Sequence, residues 1–201
     1  MKTKLILVAL LAMGMGFGSF NATDKNLVKI KTEYGDIVIY LYDATPKHRD
    51  NFTKLAREKF FDGTTFHRVI PNFVIQGGDP NSKDADPNND GMGGPGYLVD
   101  AEINPLIKHN YGAIGAASSP NPENKSNGSQ FYIVVNKGGT HFLDGKYTVF
   151  GEVVSGMDAA DKIAQVQTDG TRNRPLKDVK MSAEPVKSMQ LDDNQVKLQI
   201  K

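Results

Sequence analysis

From Phe66 onward the sequence breaks into short β-rich or apolar runs: Phe66 to Arg68, Phe73 to Gln76, Tyr97 to Val99, Ala113 to Ala116, Phe131 to Val135 and Val149 to Val154. Gly, Pro and Asn clusters separate them. No run is long enough for an ordinary helix, and the residues between them either permit positive φ or remove a backbone donor, so each run reads as a strand. Upstream, Val28 and Ile30 share a face, Glu33-Tyr34-Gly35-Asp36 turns the chain, and Ile37, Ile39 and Leu41 resume the alternation as a hairpin. Asp178 to Val186 reads as a closing strand. Only two stretches have helical spacing. Thr45-Pro46 offers an N-cap with proline at the first helical position, followed by Phe52, Leu55, Ala56 and Lys59 up to a stop at Asp62-Gly63, so a helix is expected from about Pro46 to Phe60. The second is expected at about Met157 to Val166, where Met157, Ala160, Ile163 and Ala164 share a face. Many short strands with few helices predict a mainly β barrel or sandwich.

The chain has 201 residues, which suits one compact domain with short extensions. Lys and Arg number 24 against 23 Asp and Glu, so the net charge of +1 gives no electrostatic reason to expect nucleic acid or an anionic membrane as partner. There is no cysteine, which excludes disulfides, thiolate catalysis and cysteine-ligated metals. Residues 1–22 have the plan of a secretory signal: lysines in Met1 to Lys4, an unbroken apolar run from Leu5 to Met13, then small residues up to Ala22. The apolar run is shorter than the ~20 residues that span a bilayer, which favours cleavage over anchoring and a periplasmic or secreted protein. Residues 23–186 form the expected domain. Residues 187–201 read as a polar tail or a small added strand.

The stretch from Gly78 to Tyr97 is a long loop of Asp, Asn, Pro and Gly, too polar for a core of its own. Asp86-Pro87-Asn88-Asn89-Asp90-Gly91 begins like a calcium loop, but Tyr97 stands where a closing glutamate belongs, and the loop reads as solvated surface. His48, His67, His109 and His141 lack metal-ligand spacing, so no metal is expected.

Three segments resemble the cyclophilin family: Phe66-His67-Arg68-Val69-Ile70-Pro71-Asn72-Phe73-Val74-Ile75-Gln76-Gly77-Gly78-Asp79, then Asn127-Gly128-Ser129-Gln130-Phe131-Tyr132-Ile133, then Leu143-Asp144-Gly145-Lys146-Tyr147-Thr148-Val149-Phe150-Gly151. The likeness spans roughly Leu27 to Pro185. It implies a closed eight-stranded antiparallel β-barrel capped by two α-helices and a peptidyl-prolyl cis/trans isomerase. Carried over residue by residue, the resemblance places the catalytic arginine on Arg68 and the substrate-orienting glutamine on Gln76. It places the proline floor on Phe73, Val74, Tyr132 and Leu143, and substrate-backbone pairing on Ala117 and Ser118. Phe142 stands where a tryptophan is often found, Tyr147 where a histidine is, and Val74 replaces a methionine. Phe142 and Tyr147 resemble the choices of bacterial periplasmic members and lower the expected cyclosporin affinity more than catalysis, since losing an indole N–H removes a donor and not the apolar wall. Tyr147 either lines the rim or packs beside it.

These residue types suit the chemistry that the resemblance implies. The X-Pro bond rotates slowly because amide resonance sets a barrier of ~18 to 20 kcal/mol. In the twisted transition state the proline nitrogen pyramidalises and gains a lone pair, so a fixed cationic donor there favours that state over either planar one. A charge-assisted hydrogen bond of ~1.5 to 3 kcal/mol is worth about one to two decades in rate, so desolvation and positioning by the apolar wall must supply the rest. No cofactor is required. The expected substrates are X-Pro peptides and unfolded exported proteins, and the enzyme is expected to act as a monomer. Read without the resemblance, Arg68 is an ordinary solvated or salt-bridged strand residue, and Phe73, Phe131 and Phe142 are core. A proline-directed binding module or holdase chaperone using the same pocket without turnover is the alternative.

Overall fold

A computed structural model describes residues 21–23, 26–119, 121–186 and 188–190. Most of the expected signal segment and residues 191–201 of the expected tail lie outside the described residues. The strands and helices run β1 (Asn21–Thr23), β2 (Leu27–Thr32), β3 (Gly35–Leu41), α1 (Pro46–Arg57), β4 (Arg68–Ile70), β5 (Val74–Gly77), β6 (Leu98–Val99), β7 (Ala113–Ala116), β8 (Ser126–Asn127), β9 (Phe131–Val134), β10 (Val149–Ser155), α2 (Met157–Ile163), β11 (Met181–Pro185) and β12 (Ser188–Gln190). A 3-10 turn at His141–Leu143 lies between β9 and β10.

Eight strands form one sheet in the order β11-β2-β3-β10-β7-β9-β5-β4, every neighbouring pair antiparallel. The sheet is an open half-barrel, not the closed barrel expected. β4 is only three residues long and begins at Arg68. The segment before it meets the far edge of the sheet through an isolated bridge, Thr65 to Lys180, and through Phe66 N–H donating to Val179 O at 2.9 Å, so no continuous ladder closes the seam. A separate two-stranded sheet joins β1 to β12. It takes in the last two residues of the expected signal segment and the start of the expected tail.

Strand alternation divides the side chains between two faces. Ile30, Ile37, Ile39, Leu41, Ile75, Ile114, Phe131 and Ile133 face the main core with Phe52, Leu55 and Ala56 of α1 and Ala160 and Ile163 of α2. Phe52 anchors this core, 4.7 Å from Phe61 and edge-on to Phe131 at 5.2 Å. The other face carries Val74, Ala113, Tyr132, Val134 and Val149, packed with Phe73, Leu143 and Tyr147. Adjacent residues such as Phe131 and Tyr132 thus serve different ends, one the core and one a cleft.

The start of α1 is held differently from expectation. Thr45 occupies the N-cap without a side-chain capping bond, its hydroxyl donating back to Tyr42 O at 3.4 Å. The free N–H groups of Lys47 and His48 instead donate to the Glu102 carboxylate at 3.0 and 2.9 Å, a negative charge where the helix dipole favours it. The helix ends at Arg57, before the expected stop, and Lys59 turns left-handed at φ 56°.

Candidate active site

Register builds the site. β4 pairs with β5 so that Arg68 lies opposite Gln76. β5 pairs with β9 so that Gln76 lies opposite Tyr132, and Tyr132 lies opposite Gly115 of β7. Directly opposed residues of an antiparallel pair project from the same face, so one row crosses four strands: Arg68, Gln76, Tyr132, Gly115. The missing side chain at Gly115 makes room for the Tyr132 ring, since a Cβ there would stand 2.2 Å from its Cζ.

Above this row opens a cleft of about 210 Å³, lined by Arg68, Phe73, Val74, Gln76, Ala117, Ser118, Tyr132, Leu143 and Tyr147. Val74 and Tyr132 are buried beneath it. Tyr147 meets Tyr132 edge-on at 6.4 Å. Phe142 is not part of the lining. It is 64% exposed and stacks on Phe73 with ring centres 5.5 Å apart, because the 3-10 turn that delivers Leu143 to the cleft turns its neighbour outward. Ala117 lines the cleft. Its N–H donates to Gln130 O at 3.0 Å and its C=O accepts from Asn127 N–H at 2.8 Å, so each of its backbone groups already has one partner.

The Arg68 guanidinium is half-buried at the cleft, 6.0 Å from the centre of the Phe73 ring. Among the described residues no carboxylate pairs with it. Burial draws its pKa below the usual value, and nearby Tyr147 opposes this. Nη1 donates to Gln76 Oε1 at 3.3 Å. Because arginine only donates, Gln76 presents its oxygen there and its amide to Gln130 Oε1, at 3.0 Å. Gln130 Nε2 then donates to the carbonyls of Gly91 and Gly93 at 3.0 and 2.8 Å. One chain of bonds therefore runs from the cation to the polar loop.

Tyr132 has its own support. Its hydroxyl lies 2.9 Å from Nε2 of the fully buried His109, whose Nδ1 lies 2.8 Å from Asp144 Oδ1. The carboxylate can only accept, so Nδ1 carries the proton and Nε2 accepts from Tyr132. Burial lowers the His109 pKa below the ordinary histidine value against the pull of Asp144, and burial raises that of the Tyr132 hydroxyl, so both stay neutral. Sequence reasoning missed Gln130, His109 and Asp144 as site residues. Gln130 and Asp144 sit inside segments that resemble the family, which was the available signal; His109 has none.

A slot walled by aromatic and branched side chains, with a positioned cation that has no carboxylate partner among the described residues, suits a bond that must rotate while its ring is held. Known proteins are similar to this chain over most of its length. The family model for "Cyclophilin type peptidyl-prolyl cis-trans isomerase/CLD" matches residues 27–184. A peptidyl-prolyl cis-trans isomerase-like 1 of Gibberella zeae is 40% identical over 158 residues, covering 77% of this chain and 90% of the relative. The Homo sapiens protein of that name is 37% identical over 158 residues, covering 77% and 88%. A crystal structure of a cyclophilin type isomerase of Cryptosporidium parvum in the presence of the dipeptide Ala-Pro is 30% identical, covers 80% of this chain and 98% of its own, and superposes with a TM-score of 0.70. Fold and site thus define an enzyme, a peptidyl-prolyl cis-trans isomerase. The chain belongs to the cyclophilin family.

Proposed function

We propose that the enzyme holds a substrate proline on Phe73, Val74, Tyr132 and Leu143 while Arg68 stabilises the imide nitrogen as its conjugation is lost. The observation that carries this reading is the placement of a guanidinium with no carboxylate partner among the described residues at the edge of the cleft, in one cross-strand row with Gln76 and Tyr132. Gln76 sets its direction, and the aromatic wall excludes the water that would compete for the nitrogen. Backbone pairing with substrate falls to Ser118 and to the Ala117 carbonyl, which accepts one bond and has a second lone pair. The Ala-Pro present with the Cryptosporidium neighbour is the kind of ligand that this cleft suits. Titrating Ala-Pro into the protein should give saturable shifts in the NMR signals of Phe73, Tyr132 and Leu143; shifts scattered over the surface without saturation would contradict the assignment.

The proposed setting is outside the cytoplasm, with unfolded exported proteins as substrates. This rests on the composition of residues 1–22 and on Phe142 and Tyr147, since the relatives described above are eukaryotic and carry nothing about export. Fusing residues 1–22 to a reporter in a bacterial host should send it across the inner membrane with loss of the apolar segment. A reporter that stays inside with that segment intact would overturn the proposal.

A further inference from the structure

A second cavity, of about 200 Å³, opens beyond the isomerase cleft and shares Arg68 and Gln76 with it as a common wall. Its remaining lining is His67, Pro87, Asp90, Gly91, Arg172 and Arg174. Its location follows from the sheet. Ala117 follows β7, and the path from there to Arg68 crosses β9 and β5 before reaching β4, the sheet edge. Against that edge lies the segment joining α2 to β11, where Asn173 O accepts from Val69 N–H at 2.8 Å. Arg172 and Arg174 flank this contact.

The charges in the cavity are unevenly matched. Arg174 is engaged at all three nitrogens: Nε donates to Asp90 and Nη2 to Asp178, both at 2.7 Å, and Nη1 donates to Pro175 O at 3.2 Å. Asp90 is thereby answered as well. Arg172 is held more loosely, with Nη1 3.2 Å from Pro87 O and from Asn88 Oδ1, and Nε 3.6 Å from Asp169 Oδ2. Its side chain is 51% exposed, and among the described residues its Nη2 has no acceptor. Among the described residues Arg68 has no carboxylate partner. His67 also lines the cavity and is 6% exposed, with both ring nitrogens buried. Two features therefore meet in one space: a cavity that shares a wall with the isomerase cleft, and a half-exposed arginine, Arg172, with guanidinium donors to spare.

We infer that this cavity is a subsite for a carboxylate side chain carried by the substrate within the first three residues after its proline, received by the spare Nη2 donors of Arg172. The direction follows from the proposed cleft, on which this inference rests: with the residues before proline running along Ser118, the chain leaves over Arg68 toward β4. Glutamate or aspartate there gains a charge-assisted contact that glutamine lacks. The contact is partly solvated, so its effect is modest and fades with salt.

The test uses proline peptides that differ only by Glu or Gln at the first, second or third position after proline, with kcat/KM for cis/trans exchange read by NMR. At one position at least, Glu should exceed Gln by about fivefold, a gap that closes with added salt. Arg172→Gln should bring that ratio close to one, and Arg172→Lys should retain part of it. Glu placed before the proline should give no gain. A ratio of one at all three positions, a ratio indifferent to Arg172→Gln, or an equal gain from Glu before proline would overturn the subsite. Exchange of the Gln peptides tests the isomerase cleft separately, and Kd ratios from titration of the same peptides read the subsite even where exchange is not accelerated.

Discussion

Tyr132 serves two environments at once. Its ring floors the cleft, while its hydroxyl ends a buried chain through His109 to Asp144. Tyr132→Phe keeps the ring and strands His109 Nε2, so it should cost about 1 to 3 kcal/mol in urea denaturation while changing kcat/KM by less than about threefold. A larger loss of activity than of stability would show that the hydroxyl acts on substrate. The buried histidines also set a pH signature. Burial lowers the pKa values of His48, His67 and His109 below the ordinary 6.5. The unfolded chain therefore binds protons that the folded one refuses, and stability, full above about pH 6.5, is lost as pH falls through that value toward the folded-state pKa values. The Tm should fall between pH 7.5 and 5; a flat Tm across that window would contradict neutral burial. At this scale the sequence was informative only within contiguous motifs. Arg68 and Gln76 were legible because a recognisable run contains both, whereas His109 meets Asp144 across 35 positions with no local pattern to mark the pairing.

The long polar loop shows how an element without a core of its own becomes part of a site. Buried Asp79 accepts from Asn81 N–H at 2.8 Å and from Gly93 N–H at 3.1 Å, while Gly93 O accepts from Gln130 and from Asn127. Gly93 has no room for a side chain, since a Cβ would stand 2.3 Å from Asp79 Oδ1. Gly93→Ala should displace the loop and, through Gln130 and Gln76, the aim of Arg68, lowering kcat/KM by about tenfold or more with a smaller effect on Tm. Unchanged kinetics would show that the loop does not position the cation. In α1, Glu102→Ala should cost about 2 kcal/mol, more than Thr45→Ala, because Glu102 caps two helix N–H groups and also meets His48 Nδ1 at 2.6 Å. Equal costs in chemical denaturation would return the cap to Thr45. The sequence shows a capping residue type beside the helix. It does not show a carboxylate arriving from 55 positions away.

Across the whole molecule, two faces of one curved sheet divide structure from chemistry: one packs on α1 and α2, and the other holds the cleft. Alternating apolar positions and turn residues made the strands and both helices legible, because those patterns are local. Closure was not legible, since it depends on whether a three-residue edge strand forms a ladder with β11, and here an isolated bridge and a few backbone bonds from the segment before β4 stand in its place. The cleft depends on the row across β4, β5, β9 and β7, which places Arg68 beside the slot that would grip proline. The most direct test is kcat/KM for exchange of a proline tetrapeptide by the protein, by Arg68→Ala and by Arg68→Lys, with Tm read for each. Arg68→Ala should lose about one to two decades, mostly in kcat, with Arg68→Lys in between and all three equally stable. An Arg68→Ala protein that is as fast as the parent would contradict the assignment of the cation to the rotating bond.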